Sequence, residues 1–175
     1  MRNLLAERFR LAVHHETKLL HVYELVVAKN GPKLKEAASS AAPAPPGDLS
    51  RIQKDADGFP IIPPGRPGFI SSFGPGLQSH WTARQQTMAQ LVGMLHQPNA
   101  VMDPVIDKTG LTRKYDFTLE YKVRLPAGAA GAADDTPGAS LFDALEQQLG
   151  LKLTETKAPY DVVVIDHAER VPSEN

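Results

Sequence analysis

The polar residues best spaced for chemistry are Asp107, Lys108 and Asp116. Two carboxylates beside an ammonium could hold and pass a proton if they converged in a pocket that shifted their pKa values. Asp103, Asp107 and Asp116 could instead supply oxygen ligands to a hard cation. Pro104 breaks the helical spacing of the first two, however, and Asp107 is well suited to cap its own turn. No metal site is therefore expected. His15-Glu16 opens like a zinc-protease motif, but the next histidine is His21 where helical spacing needs one at position 19. The remaining histidines (14, 80, 96 and 167) are scattered, and there is no cysteine to supply a thiolate ligand or nucleophile. Lys108-Thr109-Gly110 matches one element of the serine β-lactamases without its companions. Gly138-Ala139-Ser140-Leu141-Phe142 fails the nucleophile-elbow pattern at its last position, and neither a P-loop nor a dinucleotide fingerprint occurs. No catalytic residue and no cofactor is assigned on these grounds.

Binding has somewhat more to recommend it. Phe69-Ile70-Ser71-Ser72-Phe73-Gly74 is apolar, bounded by glycine and beside a proline-rich stretch. Phe69, Ile70 and Phe73 form either a binding lip or a flap folded back over a sheet, the second being preferred. Trp81 with Arg84, and Tyr115 with Lys114, pair an aromatic with a cation, but bulky rings on half-buried strands face inward more often than not. Net charge is −1, with 19 basic and 20 acidic residues, so there is no electrostatic footprint for nucleic acid. No run reaches the roughly 18 apolar residues of a membrane span.

The elements that must position these groups follow from periodicity and punctuation. A chain of 175 residues that is 42% hydrophobic can bury one core, so a single domain over 1–175 is the expectation. Leu4, Leu5 and Phe9 have short helical spacing, Glu16-Thr17-Lys18 reads as a turn, and His21–Ala28 as a strand ended by Gly31-Pro32. Residues 36–76 carry eight of the 15 prolines and read as a long surface excursion. A strand over 78–83 buries Trp81, and Thr87-Met88-Ala89-Gln90 has the spacing of a capping box. The helix it starts runs through Leu95 and must end before Pro98. Val105-Ile106 is a short strand, Asp107–Gly110 a turn, and 114–123 a longer strand. Residues 126–138 are a flexible insert, with Asp134-Asp135 serving solubility. Ser140 caps a last helix whose apolar face is Leu141, Phe142, Leu145 and Leu149, closed by Gly150 in the left-handed conformation. A strand at 151–154, a turn at 155–159 and a strand at 160–166 complete the chain.

Three copies of one pattern recur: Tyr23-Glu24-Leu25-Val26-Val27, Tyr115-Asp116-Phe117-Thr118-Leu119 and Tyr160-Asp161-Val162-Val163-Val164. They suggest a repeated helix–strand–turn–strand unit. Val162–Ile165, apolar on both faces, is expected in the centre of the sheet. The fold class is α+β, with short helices packed on a largely antiparallel sheet.

Several segments together resemble a known family. Leu5-Ala6-Glu7-Arg8-Phe9-Arg10-Leu11, His15-Glu16-Thr17-Lys18, Val22–Lys29 and Gly31-Pro32-Lys33-Leu34 come first. Thr87–Leu91, Val105–Leu111, Tyr115–Leu119, Leu145–Leu153 and Val164-Ile165-Asp166-His167 follow in order. This chain resembles the uncharacterised "soil-associated protein" family of soil bacteria, over nearly all of the segments read as ordered. The resemblance implies an extracytoplasmic domain, the C-terminal portion of a longer protein that often starts with an export signal. The sequence from Met1 has no such signal, which would place it in the cytoplasm if complete as written. By pattern more than by residues, the repeated unit is also similar to the short N-terminal docking domains of secretins and TonB-dependent receptors. The expected function is a non-catalytic extracytoplasmic interaction module, binding a protein or cell-envelope partner by strand-edge pairing or at the Phe69–Phe73 lip. The alternative is an enzyme of unrecognised type built on Asp107, Lys108 and Asp116.

Overall fold

Strict alternation of bulky apolar and polar side chains builds a central strand of this protein's larger sheet. In β6 (Tyr115–Lys122), Tyr115, Phe117, Leu119 and Tyr121 are buried while the residues between them are more exposed. Such a period of two gives a strand one apolar and one polar face. The computed structural model describes residues 8–38, 54, 58–63, 66–97, 100–123 and 138–170. Its contacts divide the chain into two compact units, Tyr23–Glu155 and a second made of Met1–Val22 with Thr156–Asn175.

In the larger unit, β6 lies between β2 (Lys35–Glu36) and β4 (Gln78–Gln86), and β4 pairs in turn with β3 (Gly68–Phe73). All three pairings are antiparallel. Trp81 of β4 is set opposite Leu119, and its indole meets Phe69 and Tyr121 edge-on at 5.3 and 5.5 Å. Edge-to-face contact suits the ring quadrupoles and anchors the core on the odd-numbered face of β4. The register slips between Ala83 and Gln86, where Gln85 takes a positive φ of 53°. Asp116 holds this bulge, accepting from Gln85 N at 2.8 Å and from Arg84 Nη1 at 3.2 Å.

Helix α1 (Met88–Leu95) begins at the expected capping box. Thr87 Oγ1 accepts from Gln90 N at 3.3 Å, and Gln90 Oε1 accepts from Thr87 N at 2.9 Å. Met88, Leu91, Met94 and Leu95 are its buried stripe. Helix α2 (Leu141–Ala144) starts at Ser140, whose hydroxyl accepts from Asp143 N at 3.2 Å, and widens into a π-turn at Leu145–Leu149. Gly150 closes it at φ 66°, as its sequence position predicts. A Cβ at Gly150 would collide with the Gly31 carbonyl, so close backbone approach also requires glycine here. Phe142, expected on the apolar face, is 40% exposed and meets Tyr23 edge-on.

A second sheet has the order β5 (Val105–Asp107), β1 (Ala12–Val27), β7 (Leu151–His167). Tyr23–Leu25 pair with Val105–Asp107 in parallel. Leu25, Leu151 and Leu153 are buried in the common core with Leu91, Leu95, Leu119 and Leu149.

The smaller unit contains Ala12–Val22 of β1 and Thr156–His167 of β7. The strands run antiparallel, since Glu169 N donates to Phe9 O at 2.8 Å while His14 meets Asp166 and His15 meets Asp161. Here the chain departs from its expected turns. Glu16-Thr17-Lys18 and the stretch 155–159 lie inside uninterrupted strands. Their polar residues read as turns, but on an exposed ribbon polar residues are compatible with extended backbone. Val162–Ile165 is not central in a sheet: it belongs to an edge strand, with Val163 55% and Ile165 64% exposed.

The fold is thus mixed α/β with two mostly antiparallel sheets. The three tyrosine segments occupy different settings, Tyr115 buried at the start of β6 and Tyr160 exposed in the middle of β7. Phe69–Phe73, expected as a lip or a flap folded back over a sheet, belongs to the edge strand β3. Residues 126–137 of the expected insert 126–138, Leu4, Leu5 and most of the proline-rich excursion lie outside the described residues.

Candidate functional site

The polar face of β4 and β6 carries the most organised chemistry. Alternation puts His80 and Thr82 on one side of β4, and the register sets Glu120 directly opposite His80. His80 Nδ1 lies 3.0 Å from Glu120 Oε1, and its Nε2 lies 3.2 Å from Thr82 Oγ1. The result is a hydroxyl–imidazole–carboxylate chain, in which the carboxylate orients the ring and the ring can accept a proton from the hydroxyl. Phe59 closes over it, stacking parallel on His80 at 4.2 Å with 5° between the planes. His80 and Thr82 are only 6% and 4% exposed. A nucleophile needs room for a substrate carbon beside its oxygen, and the Thr82 hydroxyl has no open approach. Glu120 is held further by Gln148, which accepts from its N–H at 2.9 Å and donates to its carbonyl at 2.7 Å. This chain satisfies buried polar groups and pins the segment around Phe59 to the sheet.

The residues singled out from sequence are placed apart. Asp107 Oδ1 accepts from Thr109 N at 2.9 Å and from Thr109 Oγ1 at 2.7 Å, which is a side-chain-capped turn. Gly110 follows it at φ 69°. Lys108 is exposed in that turn and gives its backbone N–H to Leu25 O at 2.9 Å. Asp116 stands in the other sheet, engaged with the bulge. Among the described residues no hydrogen bond or ion pair is seen to join Asp107, Lys108 and Asp116. No group of three or more His, Asp or Glu among the described residues could hold a metal ion.

Phe69 packs against Trp81 and Ile70 is half-buried opposite Thr82. Phe73, at the end of β3, is 58% exposed. It lines an open cleft of about 460 Å³ with Lys54, Gly58, Phe59, Pro60 and Ser72. The cleft is shallow and apolar, and Phe73 is the only one of the three proposed lip residues that reaches it.

The feature that sequence reading placed wrongly is the outer side of β7. Tyr160, Val163 and Ile165 are all exposed, and β7 has a hydrogen-bonded neighbour only in β1 among the described strands. Val13 and Leu19 of β1 are exposed as well, at 38% and 67%. The positions 13, 15 and 19 share one face by alternation, as do 161, 163 and 165, and the His15–Asp161 contact at 2.9 Å puts both sets on the same side. The signal was available in the run of β-branched residues. Its exposure was not.

Two titrations are displaced. Burial pushes the Tyr23 hydroxyl up, and the nearby charges of Glu155 and Asp103 add to it. Burial likewise raises Tyr121, partly offset by the Ser79 hydroxyl beside it.

A mixed α/β chain with two mostly antiparallel sheets and an exposed apolar strand edge is the class defined by this architecture. The chain belongs to the family described as "Protein of unknown function (DUF3738)", whose model matches residues 1–168. Comparison with curated proteins and with solved structures gave no match. Among the described residues no helix is long and apolar enough to cross a membrane.

Proposed function

We infer that this chain is a non-catalytic interaction module that docks a protein partner at the outer edge of β7. The observation that carries this reading is the exposure of Val163 and Ile165 on an edge strand. A strand edge offers unpaired backbone groups, and apolar side chains along it favour pairing with another chain. The similarity to the soil-associated proteins supports an extracytoplasmic setting. Phe73 and its cleft are a second, smaller contact for a cell-envelope ligand.

A photo-reactive amino acid placed at position 163 in the producing cells tests the reading. A covalent protein adduct at position 163, absent when the same group replaces exposed Lys152, is expected. Equal labelling from both positions, or no adduct from 163, would sink it. A catalytic reading has one geometric observation in its favour, the Thr82–His80–Glu120 chain, and the buried hydroxyl weighs against it.

A further inference from the structure

We propose that the partner of β7 is β7 of a second copy of this chain, paired antiparallel about a two-fold axis at Val164. The inference rests on the docking reading and specifies its occupant. Its starting point is Pro159, which lies inside uninterrupted β7 although proline cannot donate to a ladder. Its nitrogen therefore belongs on the side away from β1. At the start of β7 the Gly150 carbonyl accepts from Ala28 N at 2.9 Å, which turns the Leu151 N–H of the same peptide outward. The residues in phase with Leu151 and Pro159, namely Asp161, Val163, Ile165 and His167, then turn their N–H and C=O groups outward. This phase ends with the strand at His167, since Glu169 N beyond it donates to Phe9 O. That outward row has no partner among the described strands.

Self-pairing has few acceptable registers, because an antiparallel two-fold must keep each side chain on its own face and so must centre on a residue. Centring on Asp161 sets two like carboxylates opposite each other, which is unfavourable. Centring on Val162 or Val163 puts Pro159 opposite Ile165 or His167 of the other copy, where a donor is missing. Centring on Val164 is the first register to clear the proline, which then lies opposite Glu169, beyond the end of β7. In this register Asp161 faces His167 of the second copy and Val163 faces its Ile165, and the symmetry repeats both pairs. The exposed side chains are thus matched by chemistry as well as by position. About eight new backbone hydrogen bonds follow from the four outward pairs. A ribbon of two strands, marginal alone, becomes a four-stranded sheet of order β1-β7-β7-β1.

The absence of cysteine allows a direct test with the full chain. Wild-type protein is expected to sediment as a dimer. Val164→Cys puts one thiol per copy on the axis, at a separation of about 4.5–5.5 Å between Cα atoms, within disulfide range. It should form a covalent dimer in air at least about tenfold faster than Leu19→Cys, an exposed control on β1. Asp161→Lys should weaken the dimer about tenfold, and the exchange Asp161→His with His167→Asp should restore it. Val163→Lys should give a monomer with an unchanged far-ultraviolet circular dichroism spectrum, which guards against misfolding of the cysteine variant. A wild-type monomer, or equal cross-linking of the two cysteine variants, overturns the self-pairing. If that monomer still gives a heterologous adduct at position 163 in cells, docking survives with another partner. No adduct of any kind removes both.

Discussion

Asp116 shows how a single carboxylate can resemble a catalytic group and act as a brace. It stabilises a non-glycine residue at positive φ by accepting the Gln85 N–H and the Arg84 guanidinium. Asp116→Ala leaves those donors facing a gap and should lower unfolding free energy by about 1.5–3 kcal/mol in urea denaturation. Asp107→Ala, whose partners are exposed turn atoms, should cost less than about 1.5 kcal/mol in the same measurement. Equal losses would mean that the two acids do similar work. The two displaced tyrosines predict an alkaline effect. Their folded pKa values exceed the ordinary value, so the unfolded chain loses these protons first as pH rises. Stability is fully present below about pH 10 and falls as pH climbs from there through the folded values. Tyr23→Phe and Tyr121→Phe should each flatten that fall, read as the slope of melting temperature against pH.

At the scale of elements, short-range signals were legible wherever one residue satisfies another a few positions away. The Thr87–Gln90 capping box, the Ser140 cap, the Gly150 stop and the Asp107 turn all occur where their residue types require them. Thr87→Ala should cost α1 about 1 kcal/mol, measured by thermal or urea unfolding. Gly150→Ala should cost more than the roughly 1–2 kcal/mol of the left-handed conformation alone, because its Cβ meets the Gly31 carbonyl. The strands β1 and β7 were harder to read. Glu16-Thr17-Lys18 and Glu155-Thr156-Lys157-Ala158-Pro159 have turn-like composition, yet exposed ribbon positions place no demand for apolar residues. Pro159 is tolerated because an edge strand has one side that needs no donor.

Across the whole molecule, the apolar side chains fall into two classes that composition does not separate. Trp81, Leu91, Leu119, Leu145 and Leu151 are sealed in one core, while Leu19, Val163 and Ile165 meet solvent. Substitution of the exposed set should therefore leave folding nearly intact. The double change Val163→Lys with Ile165→Lys should alter unfolding free energy by no more than about 0.5 kcal/mol for monomeric protein. Leu119→Ala should cost about 2–5 kcal/mol. A large loss from the double change would place those side chains in a core and end the case for a docking edge.

The sequence by itself determined the alternating strand β6, the burial of Trp81, the caps and the left-handed glycine. Each depends on neighbours close along the chain or on a period that the backbone imposes. Tertiary structure decided which apolar run would be buried, because exposure depends on what the rest of the chain lays over a strand. It also joined His80 to Glu120 across a β-register, and separated Asp107 from Asp116 into two sheets. Neither relation has a local cause: hydrogen bonds between distant residues exist only once strand order and register are fixed.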